Sequence, residues 1–208
     1  MSCRLEAVLS FVKGRTLADI GTDHAYLPIA ACQKGLIEYA YACDVSAGPL
    51  KKAEENIKRC GLEEKISTRL GFGLKPLQPG EAECVVIAGM GGMRIIDILK
   101  DIPKLKTNRL VVQPQHDIPA VRRSLHELGF IICDEAMVRE DERFYTIIAA
   151  GSQDEPYKET YSELEYTFGK CLIDRKDKIL KAYADRELIR LSERDKRKSA
   201  LTEVAKWL

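Results

Sequence analysis

Glycine and two carboxylates occur together where an apolar run ends, in the segment from Leu17 to His24. Gly21 lets a ligand approach the backbone closely, because glycine has no side chain and adopts conformations that other residues avoid. Asp19 and Asp23 flank it with negative charge. The segment lacks the second and third glycines of the G-x-G-x-x-G pattern, so a dinucleotide pyrophosphate site is disfavoured.

Asp44 ends the second apolar run. A carboxylate in that position can accept hydrogen bonds from both hydroxyls of a ribose. The alternative is that Asp44 only precedes a helix that Ser46 caps. Spacing alone leaves both interpretations open.

The densest group of glycines is Gly89-Met90-Gly91-Gly92, directly after the buried-strand pattern Val85–Ala88. Bare glycines expose backbone amides and remove bulk beside a ligand, although close packing in a tight turn is the plainer alternative. Gly71-Phe72-Gly73 is a smaller group, in which Phe72 either lies against a flat base or belongs to the core.

These groups must be held by elements that alternate along the first 150 residues. Short apolar runs predict strands and segments of helical period predict helices, an alternation typical of a mostly parallel sheet in the α/β class. The predicted strands lie near 16–20, 39–44, 66–70, 83–88 and 108–113, and the predicted helices near 4–12, 25–35, 47–60, 91–101 and 118–128. In a doubly wound sheet of this kind, the loops after the strands meet at one edge, where ligands bind.

Two further β-rich runs, Phe130–Cys133 and Phe144–Ala149, are separated by the charged stretch Arg139–Arg143. A connection without a helix is too short for a parallel crossover, so these strands must be antiparallel neighbours. An antiparallel terminal hairpin favours the Rossmann-like class I methyltransferase sheet over a dinucleotide-binding one.

From about residue 157 the composition becomes charged and helical, with no proline after Pro156. Apolar residues at three- and four-residue intervals predict two or more long helices, as in an antiparallel pair, that pack on each other more than on the first domain. We therefore expect an α/β domain over 1–153 and a small, coiled-coil-like helical domain over 157–208. The chain stops inside an apolar-periodic stretch, which suggests a truncated C-terminus.

Charge and cysteine content restrict the class of protein. The 33 basic and 32 acidic residues nearly cancel, yet residues 170–198 carry 11 basic against 6 acidic residues. The seven cysteines are odd in number and form no C-x-x-C pair, which predicts neither a disulfide framework nor a zinc site. No apolar run approaches the roughly 20 residues of a membrane-spanning helix. We expect a cytoplasmic monomer that uses neither metal nor membrane.

Four segments together resemble the TrmK family, bacterial tRNA methyltransferases that modify N1 of adenine 22. The segments are Ala18–Pro28, Ala42–Ser46, Ile87–Gly92 and Gln113–Gln115. The helical C-terminal segment is also similar to the coiled-coil domain of that family. The resemblance implies S-adenosyl-L-methionine as cofactor, tRNA as partner and methylation in the D-loop region.

The resemblance also implies which residues bind the cofactor. Asp19, Gly21 and Asp23 would surround its methionine part, together with His24. Asp44 and Val45 would contact the ribose and adenine, and Phe72 and Gly73 the base. The floor near the sulfonium would consist of Ala88, Gly89, Met90 and Gly91. Phe72 departs from the family, which usually has a polar residue there.

The turn after the fourth strand bears on which nitrogen is methylated. Several kinds of enzyme that methylate exocyclic amines have Asn/Asp-Pro-Pro-Tyr/Phe there. This chain has Ala88–Gly91 instead, which argues against methylation of N6. Ring N1 already carries an in-plane lone pair, so alignment matters more than a strong base. A carboxylate that accepts from N6 would stabilise the cationic product ring.

Asp23 is the first choice for that carboxylate. The other candidates follow the fifth strand: Gln113, Gln115, His116 and Asp117. Asp117 also fits a helix N-cap, because Pro119 stands in the first turn after it. His24 and His116 also fit structural histidines.

A target base that pairs through N1 must be extruded from its stack before it can be methylated. Arg94, Arg139 and Arg143 are near the expected active edge and are candidates for contact with RNA phosphates. A basic stretch in the helical segment adds Arg175, Lys176, Lys178, Lys181, Arg186, Arg190, Arg194, Lys196, Arg197 and Lys198. The alternative is a solvated helix face with internal ion pairs.

Three other functions remain open from the sequence. A nucleotide-dependent oxidoreductase is disfavoured by the missing glycines after the first strand and by the hairpin. A non-catalytic module on the same fold would bind RNA or protein. A methyltransferase could also act on another RNA position or on a small molecule.

Overall fold

The computed structural model describes residues 2–152, 160–192 and 195–208, and its centre is a seven-stranded sheet. The strands are β1 (Thr16–Ile20), β2 (Tyr39–Asp44), β3 (Ile66–Leu70), β4 (Cys84–Met90), β5 (Arg109–Pro114), β6 (Phe130–Glu140) and β7 (Arg143–Ser152). The helices are α1 (Cys3–Ser10), α2 (Tyr26–Gln33), α3 (Ala47–Arg59), α4 (Gly92–Leu99), α5 (Ile118–Glu127), α6 (Glu163–Phe168), α7 (Lys170–Asp174), α8 (Lys178–Arg190) and α9 (Arg197–Trp207).

The strand order is β3-β2-β1-β4-β5-β7-β6, with β1 to β5 parallel and β7 antiparallel to both of its neighbours. Val85, Val86 and Ile87 of β4 are fully buried, as expected for a central strand that helices cover on both faces. The predicted class I methyltransferase fold is confirmed. The order reverses between β1 and β4, so the loops after these two strands leave a crevice at the carboxyl edge.

The element boundaries follow the sequence pattern closely in the parallel part of the sheet. β1, β2 and β3 have the predicted bounds, and the other predicted elements up to α5 agree within two residues. A short 3-10 helix at Ile102–Lys104 lies between α4 and β5.

The final hairpin is confirmed, but the charged stretch 139–143 is mostly strand and not a loop. Only Asp141 and Glu142 separate β6 from β7, and their φ angles are 47° and 61°. Two consecutive left-handed residues form a tight turn whose twist matches antiparallel strands. The strands therefore extend through charged residues almost to the tip of the hairpin.

The prediction of long C-terminal helices is wrong for the part of the chain that the structure describes. Residues from 160 onward form the short helices α6 to α9, of which α8 is the longest at 13 residues. Gly169, with a φ of 98°, separates α6 from α7. Asp177 begins α8 by accepting hydrogen bonds from the backbone N–H groups of Ile179 and Leu180. Turn and cap residues, which the apolar period does not reveal, thus determine the helix lengths.

The C-terminal helices pack on each other, most extensively α8 on α9, and also contact the sheet. Met137 of β6 shares an apolar core with Phe168 and Leu180. Arg122 of α5 pairs with Glu135 of β6 at 2.7 Å, and both side chains are buried. Residues 153 and 157, where we expect the domains to meet, lie outside the described residues, and the division into two domains stays a prediction.

All seven cysteines are free thiols. Within residues 2–152, 160–192 and 195–208, His, Cys, Asp and Glu side chains form no cluster of three that could hold a metal ion. The helices in those ranges are too short or too polar to span a bilayer.

Candidate active site

The turn between β1 and α2 has an uncommon backbone conformation. Gly21 has a φ of 74°, and the non-glycine residues His24 and Ala25 have φ angles of 60° and 58°. Such residues cost about 1–3 kcal/mol each and persist where the surrounding structure determines them. Asn56 of α3 is buried and donates from Nδ2 to the carbonyl oxygen of His24 at 2.9 Å. Packing of α3 therefore holds this turn at the edge of the crevice.

Asp19, the fourth residue of β1, carries a buried carboxylate that is 7% exposed. Its Oδ2 accepts a hydrogen bond from Thr22 Oγ1 at 2.7 Å. Burial raises the pKa of Asp19 to about 6, with the hydrogen bond from Thr22 opposing it and the charges of Asp44 and Asp23 adding to it. Among the described residues, no basic side chain lies within 4.0 Å of this carboxylate. A positively charged ligand would stabilise its ionised form.

The end of β4 is tied to α1 through Gln113 of β5. Gln113 is fully buried, and its Oε1 accepts hydrogen bonds from the backbone N–H of Gly89 at 3.1 Å and from Arg4 Nη1 at 2.9 Å. The Arg4 guanidinium also lies over the ring of Tyr145, 5.4 Å from its centroid. Gln113, a candidate for contact with the substrate, thus has a positioning role.

Two glycines of the β4–α4 turn pack against the turn after β5. A β carbon at Gly92 would lie 2.5 Å from the carbonyl oxygen of His116 and 2.8 Å from Cβ of Asp117. A β carbon at Gly91 would lie 2.6 Å from the His116 ring. Close packing therefore accounts for these two glycines.

The ends of β2 and β3 lie side by side at the same edge. The backbone N–H of Gly71 donates to the carbonyl oxygen of Asp44 at 2.9 Å. Asp44 Oδ1 accepts from the backbone N–H of Ser46 at 2.8 Å. Ser46 occupies the N-cap position of α3, but its side chain makes no cap hydrogen bond, so the interpretation of Ser46 as the capping group is wrong. Val45 and Phe72 are 52% and 36% exposed.

A cavity of about 650 Å³ opens between α1, α2 and the ends of β1 and β4. Its volume is in the range of small-molecule sites. The predicted cofactor-binding residues in its wall are Asp19, Gly21, Asp23 and Ala88. Asp44, Val45, Phe72 and Gly73 do not line it but end or follow β2 and β3 at the same edge.

Arg4 and Tyr26 also line this cavity, and sequence reasoning missed both. Tyr26 is 54% exposed, and its ring centroid is 5.4 Å from that of His24. An aromatic residue in the first turn of α2 is visible in the sequence and would have been a reasonable candidate. No sequence signal indicates Arg4, because its partner Gln113 is 109 residues away.

The candidates for contact with the target base are dispersed along the edge. The Asp23 side chain is 80% exposed and lies 3.0 Å from His24 Nε2. Asp117 lies 2.6 Å from His116 Nδ1 and has a φ of 55°. It occupies the N-cap position of α5 without a side-chain cap hydrogen bond, so the interpretation as a capping side chain is wrong. Gln115 is exposed, and its backbone N–H donates to the carbonyl oxygen of Met90 at 2.8 Å.

The basic residues divide into paired and unpaired groups. Arg139 pairs with Glu142 at 2.6 Å, and Arg175 pairs with Asp134 at 2.7 Å. Further pairs with acidic neighbours involve Lys181, Arg186, Arg190 and Arg197, as the interpretation of a solvated, ion-paired face requires. Within the described ranges, no acidic group lies within 4.0 Å of four exposed basic side chains: Arg94, Arg143, Lys176 and Lys178. Arg194 lies outside the described residues.

Comparison with known proteins relates this chain to methyltransferases. Residues 1–148 match a family model described as a methyltransferase domain. The tRNA (adenine(22)-N(1))-methyltransferase of Bacillus subtilis (strain 168) is 35% identical over 162 residues, which are 76% of this chain and 68% of that relative.

Solved structures give the same relation over nearly the whole length. The crystal structure of the B. subtilis M1A22 tRNA methyltransferase TrmK has a TM-score of 0.83 and 30% identity, covering 99% of this chain and 94% of that one. The M. capricolum TrmK structure in complex with S-adenosyl-homocysteine has a TM-score of 0.80 and 27% identity, covering 100% and 95% of the two chains.

Proposed function

The chain belongs to the tRNA (adenine(22)-N(1))-methyltransferase (TrmK) family, and we propose that it transfers a methyl group from S-adenosyl-L-methionine to N1 of adenine 22 in tRNA. One observation from the structure carries the proposal. The crevice at the switch point joins bare backbone at Gly21 to the buried, unpaired carboxylate of Asp19. A cationic cofactor with a flat base fits such an edge.

The residues at the crevice fit this cofactor, which when bound supplies an electrophilic methyl group on a positively charged sulfur. Gly21 has a φ of 74°, which residues with side chains rarely adopt, and the atom that an added β carbon would meet is the flexible tip of Met90. The negative charge of Asp19 favours a cation. The exposed surfaces of Val45 and Phe72 suit a flat base.

We assign the cofactor's parts to groups of residues along the edge. The methionine end is assigned to Asp19, Gly21, Asp23 and His24, the ribose and base to Asp44, Val45, Phe72 and Gly73, and the floor to Ala88, Gly89, Met90 and Gly91. Asp44 uses Oδ1 for the backbone N–H of Ser46, which leaves its other oxygen for ribose hydroxyls.

The residues of this chain contribute to the chemistry in two ways. They align N1 with the methyl group, and they stabilise the positive charge that develops on the adenine ring. N1 of adenine has its own lone pair, so holding it in line with the methyl group supplies much of the rate enhancement. Methylation makes the ring cationic. A carboxylate that accepts a hydrogen bond from N6 stabilises that charge as it develops, and the exposed Asp23 is our first candidate, with Asp117 and Gln115 as the second set.

Asp23→Ala is expected to lower turnover about 100-fold while cofactor affinity changes little, because the carboxylate would act on the developing charge of the base. Single-turnover methylation and calorimetric titration with S-adenosylhomocysteine measure the two effects separately. Asp97→Ala removes an exposed carboxylate of α4 that pairs with Lys100 and is the matched control. Full activity of Asp23→Ala would exclude the chemical role.

Asp19 makes cofactor binding dependent on pH. An ammonium ligand binds the ionised carboxylate, so affinity for S-adenosylhomocysteine is expected to rise as pH increases from 5 to 7, through the pKa of about 6. Because the pKa of this carboxyl is higher when the chain is folded, the unliganded fold loses stability as pH rises from about 3.8 to about 6, and the loss is complete above that pH.

Asp19→Asn is therefore expected to bind the ligand weakly without this pH dependence and to raise unliganded stability at pH 7.5 by about 1–3 kcal/mol. Calorimetry from pH 5 to 8 and urea unfolding measure these opposite changes. An unaltered pH profile in Asp19→Asn would contradict the assignment.

The tRNA is proposed to contact basic residues around the edge and on the helical segment, namely Arg94, Arg139, Arg143, Arg175, Lys176 and Lys178. Phosphate contacts of this kind make affinity depend steeply on salt concentration. We further propose that the chain works as a monomer in the cytoplasm, where its tRNA substrate is found.

Incubation of unmodified tRNA with labelled S-adenosyl-L-methionine, followed by mapping of the modified nucleoside, tests the proposed function. We expect 1-methyladenosine at position 22 and no product with tRNA in which adenine 22 is replaced by guanine. Methylation at another position would change the substrate assignment. Binding of S-adenosylhomocysteine without any methylation of RNA would favour a non-catalytic module.

A further inference from the structure

Arg4, in the first turn of α1, is a half-buried cation without an acidic partner. Across residues 2–152, 160–192 and 195–208, no carboxylate lies within 4.0 Å of its guanidinium. One of its five N–H donors bonds Gln113 Oε1 at 2.9 Å, and no other protein acceptor is found for the remaining four within those ranges. A guanidinium that is partly desolvated and left with free donors is suited to an anion.

Arg4 and Asp19 line the same cavity yet are farther apart than the 4.0 Å of an ion pair. The cavity thus offers both a cation and a buried anion, neither of which has an oppositely charged partner among the described residues. A ligand that carries an ammonium and a carboxylate on one carbon satisfies both groups at once. Leu5, Leu27 and Gly21 belong to the same lining, and their apolar surface suits the methylene groups of an amino acid.

We propose that Arg4 binds the α-carboxylate of the cofactor's amino-acid end while Asp19 binds its α-ammonium group. This inference rests on the proposed function and adds a residue from outside the β1, β2 and β4 motifs. Gln113 is the positioning residue for Arg4, because the same Oε1 accepts from Arg4 and from the backbone N–H of Gly89. Gln113 thereby fixes the position of the Arg4 guanidinium relative to the end of β4.

An RNA phosphate is the other anion that a guanidinium commonly binds. The position of Arg4 favours the carboxylate, because a phosphate in this cavity would share it with the negative charge of Asp19. Arg4 is also half-buried and bonded to the fully buried Gln113, whereas a side chain that binds RNA phosphates is usually more exposed.

The test removes the carboxylate from the ligand and the guanidinium from the protein in turn. Calorimetry measures the affinities of S-adenosylhomocysteine and of its decarboxylated analogue, 5′-S-(3-aminopropyl)-5′-thioadenosine, for the unmodified chain and for Arg4→Gln. A charge-assisted hydrogen bond contributes about 1.5–3 kcal/mol, which corresponds to roughly 10- to 100-fold in affinity. We expect this loss for each single change, and no further loss when both are made.

Two variants control for charge and folding. Arg15→Gln removes the same charge just before β1, at the opposite edge of the sheet, where Arg15 is exposed and 3.6 Å from Glu83. It is expected to discriminate between the two ligands as the unmodified chain does. Arg4→Lys keeps a cation and is expected to restore part of the discrimination. Thermal melting confirms that each variant is folded.

Several outcomes would overturn the inference. Arg4→Gln that still prefers S-adenosylhomocysteine as strongly as the unmodified chain would exclude the contact. Loss of tRNA affinity with unchanged affinity for both small ligands would assign Arg4 to the RNA surface. If the unmodified chain binds neither ligand, the proposed function itself fails, whereas methylation of tRNA with equal affinity for both ligands leaves that function intact and rejects only the role of Arg4.

Discussion

Arg122→Ala is expected to lower the free energy of unfolding by about 3–5 kcal/mol, because it leaves the Glu135 carboxylate buried without its partner. Arg122 Nε lies 2.7 Å from Glu135 Oε1, and the two side chains are 1% and 0% exposed. Arg122 Nη1 also donates to the carbonyl oxygens of Tyr166 at 2.7 Å and Thr167 at 3.1 Å. The substitution thus removes a charge pair and uncaps the end of α6.

Urea-induced unfolding followed by circular dichroism measures this loss. Arg123→Ala is the matched control on the adjacent position of α5, since Arg123 pairs with the largely exposed Glu163 at 2.6 Å. Exposed pairs contribute about 1 kcal/mol or less. The double variant Arg122→Met/Glu135→Leu is expected to be more stable than Arg122→Met alone, because it buries no unpaired charge. A loss below about 1 kcal/mol in Arg122→Ala would contradict the prediction.

Gly92→Ala is expected to lower kcat/KM for tRNA methylation by about 100-fold or more, since misplacement of about 1 Å at a reacting centre has effects of that size. The new β carbon would lie 2.5 Å from the carbonyl oxygen of His116 and 3.1 Å from that of Asp117. Backbone atoms cannot rotate away as side chains do. The turn after β4 or the turn after β5 must therefore shift, and both stand at the active edge.

Two other glycines give graded controls, with kcat/KM and melting temperature measured for each. Gly91→Ala meets the tip of the His116 ring, whose side chain is 66% exposed and can turn aside, so a smaller loss is expected. Gly48→Ala, in α3, has no atom within 4 Å of the new β carbon and is expected to preserve activity and stabilise the helix by about 0.5–1 kcal/mol. Equal activity of Gly92→Ala and Gly48→Ala would exclude the proposed steric cause.

The parallel part of the fold was predictable because local pattern and burial agree there. β1, β2 and β3 are short apolar runs between turn residues, so their bounds follow from the sequence alone. The hairpin of β6 and β7 was predictable in topology but not in length, because Arg139 and Glu140 remain extended at an exposed edge where side-chain polarity sets no limit.

The helical character of the C-terminal segment was predictable, but the bounds of its helices were not. Its apolar period indicates helices, yet the breaks depend on tertiary contacts. Gly169 is bare because a β carbon there would lie 2.5 Å from Glu135 Oε2 and 2.8 Å from Arg122 Nη2. The sequence near Gly169 gives no indication of these contacts, because Glu135 and Arg122 are more than thirty residues away.

The candidate site also contains residues that the sequence predicts and residues that it does not. Asp19, Gly21 and Ala88 come together because each lies at the carboxyl end of a parallel strand, a relation that topology alone predicts. Arg4 was not predictable, since α1 precedes the first strand and its contact with Gln113 arises only in the folded chain. The left-handed φ of Asp117 was hidden by a sequence that fits an ordinary N-cap.

The burial of Arg122 and Glu135 bears on how this protein could change in evolution. The C-terminal helices supply two carbonyl oxygens to Arg122 and the backbone N–H of Cys171 to Glu135. An exchange of these helices for an unrelated RNA-binding segment would leave Arg122 and Glu135 paired with each other but without these three hydrogen-bond partners. Diversification of the helical segment is therefore confined to its outer face, while its inner face is inherited together with α5 and β6.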